Sequence, residues 1–190
     1  MRRSPLRLLA PVCLTVAAAG AASVPRPSPD FAIKLIDGRQ IRLSEYDGKV
    51  RVLAFILTTC PHCQQTIGYL SKMQSEFGPR GFQVLASAIE DRAAMHVAGF
   101  IERFKPPFPV GYNILDPVEN YLHHPSFIRM LMPQVVFVDR ERTIRAQYSG
   151  DDPFIMQNQE QNIRAEIEEL LKGTPAVTKK HKSRKHKQSS

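Results

Sequence analysis

The segment "VRVLAFILTTCPHCQQTIGYLSKMQSEF" (residues 50–77) decides the fold, because its pattern changes at its centre. Its first eight residues are almost all apolar, which is typical of a β-strand buried on both faces. From Pro61 onward the apolar residues recur at helical spacing, until "GPRG" (78–81) ends the segment. The sequence therefore predicts a buried strand followed directly by an amphipathic helix, whose inner face carries Ile67, Leu70, Met73 and Phe77.

Two cysteines, Cys60 and Cys63, lie where the strand gives way to the helix. Cys60 is expected near the helix N-cap, with Pro61 in the first turn, where its missing N–H loses no hydrogen bond. The helix dipole and the unpaired N–H groups favour the thiolate form of Cys60, which is the form that attacks a disulfide. Cys63, one turn further on, is expected to be less exposed and to resolve the mixed disulfide. The pattern predicts a site for dithiol–disulfide exchange.

Two other uses of the cysteine pair stay open at this point. A copper or zinc site needs further ligands, but the chain has no second C-x-x-C, and nothing places His96 or the His123–His124 pair near Cys60. The histidine pair is expected to be a surface feature at a helix end. A purely structural disulfide would close a loop of only four residues and would therefore stabilise the fold weakly.

His62 lies between the two cysteines and is a candidate tuning residue. A partly cationic imidazole on this turn would stabilise the Cys60 thiolate, and would thereby make the disulfide more oxidising. The alternative is a solvated turn residue with a small effect, because solvent screens an exposed charge.

Strands and helices alternate along the rest of the body, which predicts an α/β fold with a central, partly parallel sheet covered on both faces. An N-terminal β-hairpin is expected to turn at Asp37–Gly38. The other predicted elements, in chain order, are a strand at 82–90, a helix at 91–104 with Asp91 near its start, a short strand at 109–114, a partial helix at 118–130 broken at Pro125, an antiparallel hairpin of strands at 134–139 and 144–150, and a helix at 158–173.

The ends of the chain carry its excess of positive charge. The net charge is +8, yet nine of the 26 basic residues lie in the first ten and last twelve positions. The body between them is close to neutral, so no specific nucleic-acid partner is expected. The basic stretch at 179–187 remains a candidate for contact with an anionic surface.

The sequence also predicts four regions. Residues 1–22 have a basic start, a short apolar run and small residues, a pattern typical of a secretory signal peptide, with a retained membrane anchor as the alternative. Residues 23–30 are expected to be a Pro-rich linker, 31–173 the folded domain and 174–190 a disordered basic tail. Export would place the cysteine pair in an oxidising, periplasmic or other extracytoplasmic compartment.

Three stretches together carry a family resemblance: "DGRQIRLSEYDGKVRVLAFILTTCPHC" (37–63), "FQVLASAIED" (82–91) and "MPQVVFVDRERTIRAQYSG" (132–150). Over residues 31–171 the chain resembles the TlpA/ResA-type exported thiol–disulfide oxidoreductases of the thioredoxin-like redoxin superfamily. The resemblance implies a thioredoxin-like fold. It also implies that Pro133 is cis and faces Cys60, and that the backbone of Met132 pairs with an extended substrate. Thr59, at the position of the family's usual Trp, would join this substrate contact.

The chain also departs from the family in ways that bear on mechanism. A carboxylate that accepts a proton from the second cysteine is usual at the positions of Ala54 or Thr66, so the proton acceptor for Cys63 is missing from the motif. The dipeptide Pro61–His62 is the one found in oxidising DsbA proteins, although the chain is too short for the inserted helical domain of DsbA. A thiol peroxidase is disfavoured, because Leu57 and Leu53 replace the Thr and Pro that its motif requires.

These observations predict an exported thiol–disulfide oxidoreductase that exchanges electrons with protein thiols and disulfides. Its redox-active disulfide would serve in place of a cofactor, and no metal is expected. The other partner would be a membrane-bound or soluble redox protein. The alternatives are an exported copper- or zinc-handling protein and a thiol peroxidase of the same superfamily.

Overall fold

A single sheet of eight strands organises residues 23–173, which are the part of the chain that the computed structural model describes. The expected signal peptide and basic tail lie outside these residues. The strands are β1 (Arg26–Pro27), β2 (Ala32–Lys34), β3 (Gln40–Arg42), β4 (Val50–Ile56), β5 (Phe82–Ala88), β6 (Val110–Tyr112), β7 (Gln134–Val138) and β8 (Thr143–Tyr148). Their order across the sheet is β1-β8-β7-β4-β5-β6-β2-β3.

In the described part of the chain, five α-helices cover the two faces of the sheet. No helix within residues 23–173 is long and apolar enough to cross a membrane. The helices are α1 (Pro61–Phe77), α2 (Ala93–Phe104), α3 (Leu115–Leu122), α4 (Pro153–Met156) and α5 (Gln159–Lys172).

Strand β4 is the centre of the sheet, as the apolar run predicts. It pairs in parallel with β5 and antiparallel with β7, and all of its residues are buried. Alternate side chains point to opposite faces. Val52 and Ala54 join a cluster with α1, α2 and α5, whereas Leu53 and Phe55 pack with Phe31 of the N-terminal region and with α3. The predicted α/β, thioredoxin-like fold is confirmed, including the antiparallel hairpin of β2 and β3.

Helix α3 is the element whose predicted bounds differ most from the structure. It spans Leu115–Leu122 and ends at His123, whose φ of +52° places it in the left-handed region that closes helices. The helix starts three residues before the predicted 118 and ends before Pro125, where the sequence predicts a break because proline cannot continue the backbone hydrogen bonds. Helix α2 starts at Ala93, so Asp91 lies outside it, and the short α4 was not predicted.

Residues 23–30, expected to be a linker, contribute to the sheet through β1, which pairs with β8. Arg26 anchors this strand, because its buried guanidinium donates hydrogen bonds to the carbonyl oxygen of Tyr121 and to the side chain of Gln147. Gln147 in turn donates to the carbonyl oxygen of Leu122. The N-terminal strand therefore caps the C-terminal end of α3, where a positive charge is favourable.

A second buried cation, Arg51, holds together the end of the sheet where β4 begins and β7 finishes. Its side chain is fully buried and forms an ion pair with Asp47. It also donates to the carbonyl oxygens of Leu43 at 3.3 Å and Asp139 at 2.8 Å. One guanidinium thus joins the start of β4 to the preceding turn at 43–47 and to Asp139, which lies 88 residues away in sequence.

We expect the Arg51→Ala variant to lower the free energy of unfolding by about 3 kcal/mol, because it leaves a cavity, breaks the ion pair with Asp47 and removes one donor from each of two carbonyl oxygens. Urea denaturation followed by circular dichroism measures the loss. The control is Arg39→Ala, which removes an exposed ion pair with Asp37 and should change the midpoint little. Equal losses in the two variants would contradict the structural role of Arg51.

Candidate active site

The two cysteines occupy the junction that the sequence predicts, and both are free thiols. Cys60 is the N-cap residue of α1 and is half-buried, with Pro61 at the start of the helix. Cys63, in the first turn, is fully buried within the core. The backbone N–H of Leu57 donates to Cys63 Sγ at 3.4 Å, which fixes the thiol against the end of β4. One cysteine is therefore accessible and the other is enclosed.

Burial also controls the protonation of Cys63. Desolvation raises the pKa of the Cys63 thiol well above its ordinary value, and the neighbouring thiol of Cys60 and the carboxylate of Glu90 act in the same direction. The Leu57 N–H opposes this effect but does not overcome it. Cys63 therefore remains a neutral thiol near neutral pH and needs a base to become a nucleophile.

Glu90 is the functional candidate that the sequence analysis missed. It lies just beyond β5, and its Oε1 accepts hydrogen bonds from the backbone N–H of Thr58, at 3.0 Å, and from the Thr58 hydroxyl. Its Oε2 is buried without a hydrogen-bond partner among residues 23–173. Because the consecutive amides of Leu57 and Thr58 donate to Cys63 and Glu90, the turn after β4 holds a carboxylate close to the buried thiol.

The sequence contains one pattern that indicates a functional role for Glu90. The acid of "AIED" follows a buried strand, β5, that runs parallel to the strand preceding the cysteines. The carboxyl ends of adjacent parallel strands lie at the same edge of a sheet, where α/β proteins place their sites. In the strand and helix of the motif itself, the positions where an acid is expected hold Ala54 and Thr66, which are both buried and uncharged.

Met132 and Pro133 reach the same edge of the sheet from β7. The Met132–Pro133 peptide bond is cis, as the resemblance implies. Gln134 is paired with Phe55, so Met132 and Pro133 continue past the end of β4 beside the turn that carries Cys60. Gly150 packs against them: a Cβ atom there would lie 2.3 Å from the Met132 carbonyl oxygen, so only glycine fits.

The remaining predicted residues of the motif lie around this centre. Thr59 and His62 are exposed, as Pro61 is, on the outer side of the helix start. Thr66 is enclosed, where its hydroxyl donates to the carbonyl oxygen of His62 at 2.8 Å and accepts from Gln159 at 2.7 Å. This pair of bonds ties the first turns of α1 to α5, so Thr66 has a structural contact in place of a carboxylate.

A metal centre is the alternative use of the cysteine pair. Residues 23–173 contain no group of three or more His, Cys, Asp or Glu side chains arranged to hold a metal ion. His123 is the exposed cap of α3, and His124 follows it without joining the cysteines.

Comparison with known proteins assigns the family. The family model described as Redoxin matches residues 24–166, which is most of the chain. The chain belongs to the Redoxin family. This Redoxin protein is 31% identical over 100 residues to the thiol-disulfide oxidoreductase ResA of Geobacillus thermodenitrificans, a match covering 53% of the chain and 57% of that relative. The ResA of Halalkalibacterium halodurans is 28% identical over 91 residues, 46% of the chain and 51% of that protein. The chain thus spans about half the length of the curated relatives it matches.

Solved structures share the fold of this Redoxin protein over a greater length. A Chlorobium tepidum structure assigned as the thiol:disulfide interchange protein DsbE has a TM-score of 0.59 and 26% identity, and the match covers 75% of this chain and 96% of the other. A thiol:disulfide interchange protein from Bacteroides sp. has a TM-score of 0.63 at 19% identity, with 84% and 97% covered. The second likeness supports the fold alone.

The raised pKa of Cys63 predicts a pH-dependent stability for the reduced Redoxin protein. Below about pH 8.5 the Cys63 thiol is protonated in both the folded and the unfolded protein, so the free energy of unfolding does not change with pH through this group. Above that pH the unfolded chain loses the proton that the folded protein keeps, so the free energy of unfolding falls by about 1.4 kcal/mol per pH unit.

Urea denaturation of the reduced protein between pH 8 and 10.5 measures this slope. The Cys63→Ala variant is the control, because it keeps Cys60 and the buried tyrosines but lacks the thiol. We expect the wild type to lose more stability with pH than the variant. Parallel pH profiles would show that burial does not hold the proton on Cys63.

Proposed function

We propose that this Redoxin protein is an exported thiol–disulfide oxidoreductase that exchanges two electrons with protein dithiols and disulfides through Cys60 and Cys63. The observation that carries the proposal is the pairing of a half-buried thiol at a helix N-cap with an enclosed thiol one turn later. The ResA relatives, which are named thiol-disulfide oxidoreductases, agree with it. Export is supported by the signal-peptide pattern of residues 1–22.

The proposed reaction has two steps. The Cys60 thiolate attacks a substrate disulfide, forming a mixed disulfide and releasing one substrate thiolate, which takes up a proton from solvent. Cys63 then loses its proton and attacks Cys60 Sγ, which releases the second substrate thiol and leaves a Cys60–Cys63 disulfide. Two electrons and two protons pass to the substrate in total, and the same steps in reverse oxidise a substrate dithiol. The reduction potential of the pair decides the direction.

We assign Glu90 as the proton acceptor in the second step. Its buried Oε2 has no hydrogen-bond partner within the described chain, and its Oε1 is fixed by Thr58. A held carboxylate beside a thiol with a raised pKa is the arrangement that general-base catalysis requires. This assignment supplies the acid that is missing at Ala54 and Thr66.

The substrate contacts are proposed for Thr59, Met132 and Pro133. The backbone N–H and C=O of Met132 form no backbone hydrogen bond within residues 23–173, and we propose that they pair with an extended polypeptide. His62 is exposed beside Cys60, which lies at the N-cap of α1, and we propose that Cys60 is the attacking cysteine.

Single cysteine substitutions test the two roles. With a disulfide-containing protein such as insulin as substrate, we expect Cys63→Ser to accumulate mixed disulfides and Cys60→Ser to accumulate none, because the remaining Cys63 is enclosed. Both variants should lose at least about 100-fold in exchange rate, since each lacks one of the two steps. Non-reducing mass spectrometry detects the adducts, and the double variant is the blank. Unchanged exchange in either variant would refute the proposed function.

The Glu90→Gln variant tests the proton acceptor through the sign of its effect. If Glu90 removes the proton, the substitution slows resolution of a preformed mixed disulfide by about 100-fold at pH 7, and the deficit shrinks as rising pH deprotonates Cys63 directly. If Glu90 acts only through its charge, the substitution lowers the pKa of Cys63 and resolution becomes faster. Stopped-flow measurement from pH 6 to 9 separates the two, with Glu102→Gln on α2 as the control.

A further inference from the structure

Two consecutive hydrogen bonds link helix α5 to the peptide unit of Cys63. The side-chain amide of Gln159 donates to the Thr66 hydroxyl at 2.7 Å, and this hydroxyl donates to the carbonyl oxygen of His62 at 2.8 Å. A hydroxyl has a single hydrogen and an amide N–H can only donate, so the two bonds run in one direction, from α5 to the His62 carbonyl. We call these two bonds the α5 brace.

The α5 brace acts on the backbone of the enclosed cysteine. The His62 carbonyl belongs to the planar peptide unit that also contains the N–H of Cys63. Fixing this oxygen therefore fixes the orientation of the backbone that leads to the Cys63 Cα atom. From another direction, Cys63 Sγ accepts the backbone N–H of Leu57 at 3.4 Å. The enclosed cysteine is thus held at two points, one reached from α5 and the other at the end of β4.

The start of α1 has few other contacts that could hold it. The first N–H groups of a helix have no acceptor within the helix, and Pro61 has no N–H. The side chains of Pro61 and His62 are exposed. Gln64 donates to the carbonyl oxygen of Thr58 at 2.9 Å, which ties this turn to the end of β4. The α5 brace is what ties it, by hydrogen bonds, to another helix.

The donor of the brace is itself held firmly. Gln159 is only 8% exposed, and a buried amide is costly unless it is hydrogen-bonded. The turn before it is closed by Asn162, whose side chain donates to the carbonyl oxygens of Phe154 at 2.9 Å and Gln157 at 2.6 Å. Asp152 caps the preceding helix, α4, by accepting the N–H of Phe154. The position of Gln159 therefore follows from a hydrogen-bonded turn.

The other polar contacts between α1 and α5 have a different character. Within residues 23–173, two further side-chain pairs join these helices, Lys72 with Glu160 and Arg164 with Glu76. Both are ion pairs of largely exposed side chains further along α1, and such pairs contribute little. The α5 brace is buried and lies one turn after Cys63. The buried polar contact is thus at the end of the helix pair that carries the cysteines.

We propose that Gln159, acting through the α5 brace, holds Cys63 within reach of Cys60 and so favours closure of their disulfide. The inference rests on the proposed function and deepens it, because it names a positioning residue on α5 that sets the reduction potential of the pair. Closing a disulfide costs the entropy of fixing both cysteines, and this cost is smaller where one of them is fixed beforehand. Loss of the brace shifts the equilibrium toward the dithiol.

Equilibration of the full-length protein with glutathione buffers at pH 7 measures this effect. Cys60 and Cys63 lose two electrons and two protons to one molecule of oxidised glutathione, which gives the protein disulfide and two molecules of reduced glutathione. Alkylation of the remaining thiols followed by mass spectrometry gives the ratio of dithiol to disulfide. For Thr66→Val, which keeps the side-chain shape without the hydroxyl, we expect an equilibrium constant for disulfide formation about tenfold smaller. This change corresponds to a reduction potential about 30 mV higher.

Variants at the two positions separate the brace from other effects. Gln159→Met removes the amide donor at similar side-chain length, and we expect a decrease of about fivefold, the effect of one net hydrogen bond. Because both residues act through the same hydroxyl, the double variant with Thr66→Val should show about tenfold, not the product of the two effects. Thr66→Ser keeps the hydroxyl and should stay within about twofold of the wild type.

Two further variants serve as controls. Arg164→Gln removes an ion pair between α1 and α5 and should leave the equilibrium constant within about twofold of the wild-type value. Gln159→Asn keeps a polar side chain whose amide is one methylene too short to reach Thr66. It should shift the equilibrium in the same direction as Gln159→Met, and it replaces that variant if the Met protein does not fold. Urea denaturation checks the folding of each protein.

Two results would overturn the inference while leaving the proposed function intact. The first is an unchanged equilibrium constant in folded Thr66→Val and Gln159→Met proteins, which would make the brace a structural contact only, even if both variants lose stability. The second is a multiplied effect in the double variant, which would mean that Gln159 acts by a route other than Thr66. If the wild type forms no Cys60–Cys63 disulfide at any glutathione ratio, the proposed function itself is refuted.

Discussion

The enclosure of Cys63 in the first turn of α1 is the constraint on which the site depends. A thiol can be buried there only if the helix begins within a few residues of the end of β4, so that its first turn lies over the sheet. That placement leaves Cys60 at the rim, brings the Thr58 amide against Glu90 and excludes water from the inner thiol. The same burial that raises the pKa of Cys63 therefore also creates the need for a nearby base.

The two ends of the sheet differ in role: one carries the structural contacts of Arg51 and the other carries the cysteines. At the end where β4 begins, Arg51 binds the turn at 43–47 and the carbonyl oxygen of Asp139, and no cysteine lies among these contacts. At the other end, the strands stop at different levels, and their turns supply the cysteines, Glu90 and Met132. The register of β7 is fixed by its pairing with β4. The backbone groups of Met132, just before β7, can therefore remain unpaired without loss of that register.

Much of this arrangement follows from local patterns in the sequence. The alternation of buried strand and amphipathic helix predicts the sheet, and the N-cap position of Cys60 follows from Pro61. The roles of Glu90 and Arg26 could not be predicted in this way, because each depends on a partner many residues away. Thr58 and Glu90 meet only after β4 and β5 pair, and Arg26 meets Tyr121 only after β1 joins β8. The end of α3 depended on His123 adopting a left-handed conformation, which its residue type does not require.

The capping of α3 by Arg26 has a consequence for how the chain can be processed. The bonds from Arg26 to Tyr121 and Gln147 are the first long-range contacts that the N-terminal strand supplies. Cleavage before Arg26 would leave them intact, whereas cleavage after it would leave the end of α3 without its cation and remove part of the strand that borders β8. The position of a single arginine thus sets how far the N-terminus can be trimmed while the end of α3 keeps its cation.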